Sequence, residues 1–247
     1  MLTEQRYEII LKLLQEKGSV TLNELKELLN SSESTIRRDL NALDEEGKLT
    51  KVFGGAVLKE QKISSVELSV PQKTQVNAEE KRKIAAYAAG LVEPDDFVYI
   101  DAGTTTEAMI DFLTEKSATY VTNAVSHARK LAVAGFKVIL IGGELKGTTE
   151  AAVGTQAILM LEKMNFHKGF FGTNGVSRNR GFTTPDFNEA LVKETAFDHT
   201  LKKYVLADSG KFDVISSVTF GEMGEAVILT NQKVPEGFAN MENIVQV

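Results

Sequence analysis

Cysteine is absent from the 247 residues, which excludes disulfides and thiolate metal sites and fits a reducing compartment. Only 4 residues are proline while 43% are hydrophobic, so the chain can build the core of one large or two modest domains. The three histidines, His127, His167 and His199, have no metal-ligand spacing among them and read as packing or surface residues. No run approaches the roughly 18 apolar residues of a membrane span, so no membrane partner is expected. The opening MLTEQRYEII carries three charges in its first eight residues and no apolar run, so no signal peptide is expected and the location is expected to be cytoplasmic. A Walker loop, a dinucleotide fingerprint and a nucleophile elbow are missing too, and neither cofactor nor metal is expected.

Positive charge is also in short supply, with a net charge of -6. For nucleic-acid binding the location of charge matters more than its sum. From Lys48 to Lys62 four lysines, 48, 51, 59 and 62, face one acid, Glu60. An acidic remainder weakens non-specific binding to DNA and leaves recognition to one small surface.

The stretch Ser32 to Leu43, SESTIRRDLNAL, organises the first part of the chain. On a 3.6-residue period Ile36, Leu40 and Leu43 share one face, and Ser34, Arg37, Arg38 and Asn41 the opposite one. Paired guanidinium forks grip phosphates and can read guanine edges in the major groove. An ordinary solvated amphipathic helix has the same periodicity, so the neighbours decide. Residues 3 to 17 carry Ile9, Ile10, Leu13 and Leu14 at helical spacing before Gly18. Thr21-Leu22-Asn23-Glu24 is a capping-box pattern leading a second helix with Leu25, Leu28 and Leu29. Asn30-Ser31 makes a polar turn, and two strands bent at Gly54-Gly55 come after the third helix. That order is the winged helix-turn-helix order.

From Lys59 to Gln75 periodicity is lost and the reading is an interdomain linker. From Val76 the pattern changes: a helix over Ala78 to Leu91, a strand over Phe97 to Ile100, then strand-like runs at 118–122, 137–141, 168–171, 203–207 and 226–229. Helical stretches separate most of them, which predicts an α/β domain with a largely parallel sheet. Ligands in such sheets bind at the carboxyl ends of the strands.

Those ends are rich in glycine and small polar groups. Asp101-Ala102-Gly103-Thr104-Thr105-Thr106 runs from a strand into a helix expected over Glu107 to Leu113, where hydroxyls and free amides suit an anion. A Thr104/Glu107 capping box that only starts the helix is the plainer alternative. Asn123 ends a second strand, Gly142-Gly143 a third, Asn174-Gly175 a fourth, and Asp208 with Lys211 a fifth. Asn and Asp can bond sugar hydroxyls, while Lys193 or Lys211 can neutralise phosphate. Thr184 and Pro185 read as N-cap and first residue of the next helix.

SESTIRRDLNALDEEGKLTKVFGGAVL resembles the DNA-binding signature of the DeoR family of bacterial sugar-metabolism repressors, over residues 1 to about 58. The resemblance implies that Ser34, Thr35, Arg37 and Arg38 approach an operator, with Lys51 and the Gly54-Gly55 wing tip near the backbone or minor groove. A plain hairpin turn at Gly54-Gly55 is compatible with this. DAGTTT, VTNA, IGGE, FFGTNGV, GFTTPDFNEALVKE and VLADSGKF are similar to the sensor domain of that family over 76–247, which resembles ribose-5-phosphate isomerase. This likeness implies a sugar-phosphate ligand, a homodimer or homotetramer on DNA, and candidate ligand residues Asp101, Gly103, Thr104, Thr105, Thr106, Asn123, Gly142, Gly143, Asn174, Gly175, Lys193, Asp208 and Lys211. Within the family DAGTTTEAMIDFL, FFGTNGV and GFTTPDFNEALVKE look most like the fructose-operon repressors of Gram-positive bacteria, which implies fructose 1-phosphate. The isomerases place paired aspartates in the loop that here reads Gly172 to Ser177, and no carboxylate stands there. Glu189 and Asp186 remain nearby, but a lone carboxylate does not restore the proton-transfer pair, so binding without catalysis is expected.

Overall fold

The computed structural model describes residues 1–46, 48–57, 63–64, 69–231, 234–238 and 241–247. The chain divides into two compact units, Met1–Gln61 and Lys62–Val247.

In the first unit helix α1 (Thr3–Lys17) ends at Gly18, whose φ of 76° lets its N–H reach the Leu14 carbonyl at 2.8 Å. Strand β1 (Ser19–Thr21) leads into α2 (Leu22–Leu29), and Thr21 and Glu24 form the expected reciprocal capping box. Asn30 takes the left-handed conformation that closes α2, and Ser32 caps α3 (Glu33–Glu45). Strands β2 (Thr50–Val52) and β3 (Gly55–Val57) form the wing, in an antiparallel sheet of order β1-β3-β2. At three residues β1 is too short to show a period, and the sequence pattern does not reveal it. Gly55 lies opposite Thr21, where a Cβ would collide with the Val20 carbonyl, so β1–β3 pairing needs glycine there.

The core is the apolar face the sequence predicts: Ile36, Leu40 and Leu43 from α3 pack with Ile10, Leu14, Leu25 and Leu29, all buried. Each such side chain contributes about 1.5–3 kcal/mol on burial. One polar pair is buried with them. The Arg6 guanidinium donates through Nε to Asp39 Oδ2 at 2.6 Å and through Nη2 to Oδ1 at 3.0 Å, fixing α1 against α3.

The second unit opens with β4 (Ile63–Ser64), α4 (Val70–Gln75) and α5 (Ala78–Ala89). Thus parts of the stretch read as a linker carry structure, while 59–62 and 65–68, with Lys59 and Lys62, lie outside the described residues. Then come β5 (Phe97–Ile100), α6 (Thr104–Ile110), β6 (Thr119–Thr122), α7 (Val125–Val133), β7 (Lys137–Leu140), β8 (Glu144–Lys146), β9 (Ala151–Val153) and α8 (Thr155–Leu161). The chain continues through β10 (Phe166–Gly172), β11 (Gly175–Ser177), β12 (Gly181–Thr184), α9 (Phe187–Asp198), β13 (Thr200–Leu206), β14 (Ile215–Ser216), β15 (Val218–Gly221), β16 (Val227–Thr230) and β17 (Ile244–Gln246).

Among the described residues seven strands form one parallel sheet, ordered β17-β16-β13-β10-β5-β6-β7. Successive residues point to opposite faces, and both faces are covered. Tyr99, Val121, Phe171 and Val205 meet α8 and α9 on one side, and Val98, Ile100, Tyr120 and Phe170 meet α5, α6 and α7 on the other. From β5 the chain builds outward to β7, then returns to β10 on the far side of β5. The β5/β10 junction is therefore a topological switch point, where the loops leaving the two strands part and open a crevice.

Two expected helix starts are corrected. Helix α6 begins at Thr104 with Gly103 as N-cap, and no side chain caps it, since glycine has none; the Thr106 hydroxyl donates back to the Asp101 and Gly103 carbonyls. Thr184 belongs to β12, and Asp186 caps α9 by accepting from the Glu189 N–H at 2.9 Å.

Replacing Asp39 by alanine should leave the Arg6 guanidinium buried without its counter-charge and destabilise the first unit by about 3 kcal/mol. Hydrogen exchange of α1 and α3 peptides is expected to quicken accordingly; unchanged protection would contradict the role given to this pair.

Candidate functional site

The exposed face of α3 presents Ser34, Arg37, Arg38 and Asn41 to solvent, with Thr35 half-buried. Ser32 gathers the first turn, its hydroxyl lying 2.9 Å from Ser34 Oγ and 2.8 Å from Thr35 Oγ1. Arg37 pairs with Glu33 one turn back at 2.7 Å, and both side chains are over half exposed. An ion pair in that setting is worth at most about 1 kcal/mol, so a phosphate can displace it. The wing is tied to the helix at two points: Lys51 Nζ donates to Asn41 Oδ1, and the Lys51 N–H donates to Asp44 Oδ1 at 3.2 Å. A groove results, lined by Arg37, Leu40, Lys51, Val52, Phe53 and Gly54 among others.

Gly54 has φ 82° at the exposed turn, as a tight hairpin requires, whereas Gly55 is buried and serves strand pairing. Sequence reasoning missed Phe53, which stands fully exposed at the wing tip. An aromatic beside two glycines carries no periodicity that would have pointed to it.

In the second unit a pocket lies at the carboxyl ends of β5 and β10, beside the switch point. Its lining includes Gly103, Thr104, Thr105, Asn174, Lys193 and Lys211 from the expected set, together with Val70, Lys73, Lys81, Thr149, Gly172 and Glu189. Beneath it Asp101 is fully buried: its Oδ2 accepts from Lys193 Nζ and from the Gly172 N–H at 2.9 Å. Burial pushes the Asp101 carboxyl above its ordinary range, against the pull of Lys193 and of that N–H. One ion pair thereby joins β5, β10 and α9.

Other expected residues shape the pocket from behind. Asn123 Oδ1 accepts from the Tyr99 hydroxyl and the Ala102 N–H, both at 3.1 Å, and its Nδ2 donates to the Ala152 carbonyl at 3.2 Å. With both ends of its amide engaged, Asn123 holds the loop. Asp208 is buried, accepting from Asn77 Nδ2 at 2.7 Å and the Gly210 N–H at 3.1 Å. Gly175 admits the Val214 carbonyl where a Cβ would stand, and Gly143 admits that of Val153. The Gly142 N–H lies 3.4 Å from Met160 Sδ. Asp101, Thr106, Asn123, Gly142, Gly143, Gly175 and Asp208 are thus not among the lining residues.

Lys81 was legible but missed. A helix feeding a parallel strand runs antiparallel to it, which puts its first turn at the carboxyl edge of the sheet. Lys81 lies in the first turn of α5, is buried, and donates to Thr104 Oγ1 at 3.2 Å and to the Lys73 carbonyl. Burial drives its ammonium pKa down, Asp208 opposes this, and Lys211 and Lys73 reinforce it. At seven residues α6 has little dipole to offer, so the positive character of the pocket comes chiefly from these lysines. Glu189 balances one side, held by Thr149 Oγ1 and by Lys146 Nζ at 3.3 Å. The arrangement suits a ligand with an anionic end near Thr104 and hydroxyls near Asn174 and Glu189.

Two family models match the chain, the DeoR-like helix-turn-helix domain over residues 6–62 and the DeoR C terminal sensor domain over 76–232. Among curated proteins it is 41% identical over 245 residues to the "Uncharacterized HTH-type transcriptional regulator FruR" of Bacillus subtilis (strain 168), covering 98% of this chain and 96% of that one. It is 36% identical over 246 residues to the "Lactose phosphotransferase system repressor" of Staphylococcus epidermidis, covering 98% and 97%. Among solved structures it resembles the ribose 5-phosphate isomerase A of Methanocaldococcus jannaschii with a TM-score of 0.41 and 14% identity, covering 55% of each chain.

His127, on α7, is 2% exposed, and burial lowers its pKa to about 3. Below its ordinary value near 6.5 the unfolded chain takes up a proton that the folded chain refuses, so stability falls as pH falls. Between pH 7 and 5.5 the wild type should lose about 1 kcal/mol more than His127→Gln in urea unfolding. Parallel losses in the two proteins would show that this imidazole is not held neutral.

Proposed function

The chain belongs to the DeoR family, and on that premise we propose that it is a sugar-operon repressor released from its operator by a phosphorylated sugar, with fructose 1-phosphate the effector. Its relatives are named as transcriptional regulators and repressors, and it is not an enzyme. Residues 1–58 serve as the DNA-binding domain and 76–247 as sensor, with α4, from the stretch read as linker, adding Val70 and Lys73 to the sensor pocket. Operator contacts fall to Ser34, Thr35, Arg37, Arg38 and Asn41 on α3 and to Lys51 and Gly54 on the wing, with Gly55 supporting the wing from within. Two copies related by a two-fold axis, or a dimer of such dimers, present paired α3 helices to half-sites about one helical turn apart or a multiple of it.

The observation that carries the effector reading is the convergence of Lys81 and Lys211 with the Thr104 and Thr105 hydroxyls on one pocket at the switch point, above the Lys193–Asp101 pair. Ammonium groups and hydroxyls meet a phosphate dianion, while Asn174 and Glu189 offer acceptors and donors to a polyol. The choice of fructose 1-phosphate rests on the likeness of DAGTTTEAMIDFL, FFGTNGV and GFTTPDFNEALVKE to fructose-operon repressors. Phosphates of tagatose, glycerol and deoxyribose present the same anionic end and form the comparison set.

Three results are expected. Arg37→Ala weakens operator binding by about 1–3 kcal/mol if the guanidinium reads a base, measured by mobility shift; unaltered affinity moves the recognition surface elsewhere. Fructose 1-phosphate at 100 times its dissociation constant adds about 2.7 kcal/mol of stability in a thermal-shift assay; a larger shift with another sugar phosphate reassigns the effector. Thr104→Val abolishes release by the effector with DNA affinity retained, and a variant that still releases normally removes Thr104 from the phosphate cradle.

A further inference from the structure

The Lys81 ammonium is shared between two parts of the sensor unit. It donates to Thr104 Oγ1 on the pocket loop at 3.2 Å and to the backbone carbonyl of Lys73 in α4. Helix α4 itself buries little. It has six residues, none of them buried, and the side-chain bonds of Thr74 and Gln72 are local: Thr74 Oγ1 donates to the Val70 carbonyl, and Gln72 Oε1 accepts from Ser69. A helix that short does not persist in water on its own, so its docking decides whether it forms. Yet α4 supplies Val70 and Lys73 to the pocket wall, and in sequence it is the first helix after residues 1–61.

Four lysines, Lys73, Lys81, Lys193 and Lys211, line this cavity with one acid, Glu189. Lys193 is paired with Asp101 and Glu189 with Lys146, while the charges of Lys73 and Lys211 both act against the Lys81 ammonium. Like charges facing a common space repel, and a dianion placed among them turns that repulsion into attraction to itself.

We propose that α4 is a ligand-fastened strap: an anionic ligand seated on Thr104 and Lys81 draws in Lys73 and fixes α4 on the sensor unit, so that pocket occupancy is passed to the segment leading to the DNA-binding residues. The proposal rests on the effector reading of the pocket and adds how occupancy leaves it. The ligand need only bind the fastened form better than the loose one, since differential affinity is what shifts a population.

Hydrogen exchange of the full-length protein, with and without saturating fructose 1-phosphate and separately inorganic phosphate, tests it alongside calorimetric binding of each probe. Exchange over residues 70–76 is expected to slow about tenfold on binding. Binding with unchanged or faster exchange there overturns the strap and leaves the effector reading standing. Absence of binding by either probe overturns the effector reading and the strap with it. Lys81→Gln should remove the slowing even at saturation, and its persistence would refute the part given to Lys81. Gln72→Ala loosens α4 from outside the pocket, and because coupling is reciprocal the probe should bind about threefold more weakly. Equal affinity in that variant would count against any link between α4 and the pocket.

Discussion

The buried pair of Asp101 and Lys193 is the constraint on which the sensor unit depends. A carboxylate taken wholly out of water must be paired, and here the pairing draws on three elements: the end of β5, the Gly172 N–H at the end of β10, and α9. Those two strands are the ones that part at the switch point, so the pair closes the floor of the crevice the topology opens. With Lys193 anchored below, Lys81 and Lys211 are left to face an incoming anion from the sides. In the first unit the Arg6–Asp39 fork plays the matching role, setting the angle at which α3 offers its outer face.

Much of this could be read from the residues. Strong periodicity located α1, α2, α3 and the inner strands, because buried faces repeat at 3.6 or 2 residues and that signal survives without coordinates. The short hairpins β8–β9 and β11–β12, and β1 itself, have three residues in register and no period to detect. At the site, the outer face of α3 and the loop from Asp101 to Thr106 were visible, but the division of labour within the loop was not. Asp101, Asn123 and Asp208 look like ligand-binding groups in sequence; in space Asp101 Oδ2 is engaged by Lys193, Asn123 Oδ1 by Tyr99 and Ala102, and Asp208 Oδ1 by Asn77. The second oxygen of each aspartate is buried without a hydrogen bond among the described residues. Which polar residues face a pocket and which brace it depends on side-chain direction, and sequence spacing alone does not give that. Glycines show the same ambiguity: Gly54 is required by its φ, whereas Gly55, Gly143 and Gly175 admit a neighbouring carbonyl.

A net charge of -6 sits easily with a DNA-binding regulator once its charges are placed. Arg37, Arg38 and Lys51 are gathered on one small exposed surface, and a group of sensor lysines is turned inward to a pocket. An acidic remainder limits indiscriminate attachment to DNA, leaving specific contacts to decide occupancy. Control then needs little energy. A tenfold change in operator affinity corresponds to about 1.4 kcal/mol of differential binding between two states, within reach of a few charge-assisted contacts.

The most direct measurement is fluorescence anisotropy of the full-length protein on the promoter DNA nearest its own gene, titrated with fructose 1-phosphate against other sugar phosphates. Release by fructose 1-phosphate at concentrations where the others leave the complex intact is the predicted result. Tight operator binding that no sugar phosphate disturbs would contradict the account at its centre.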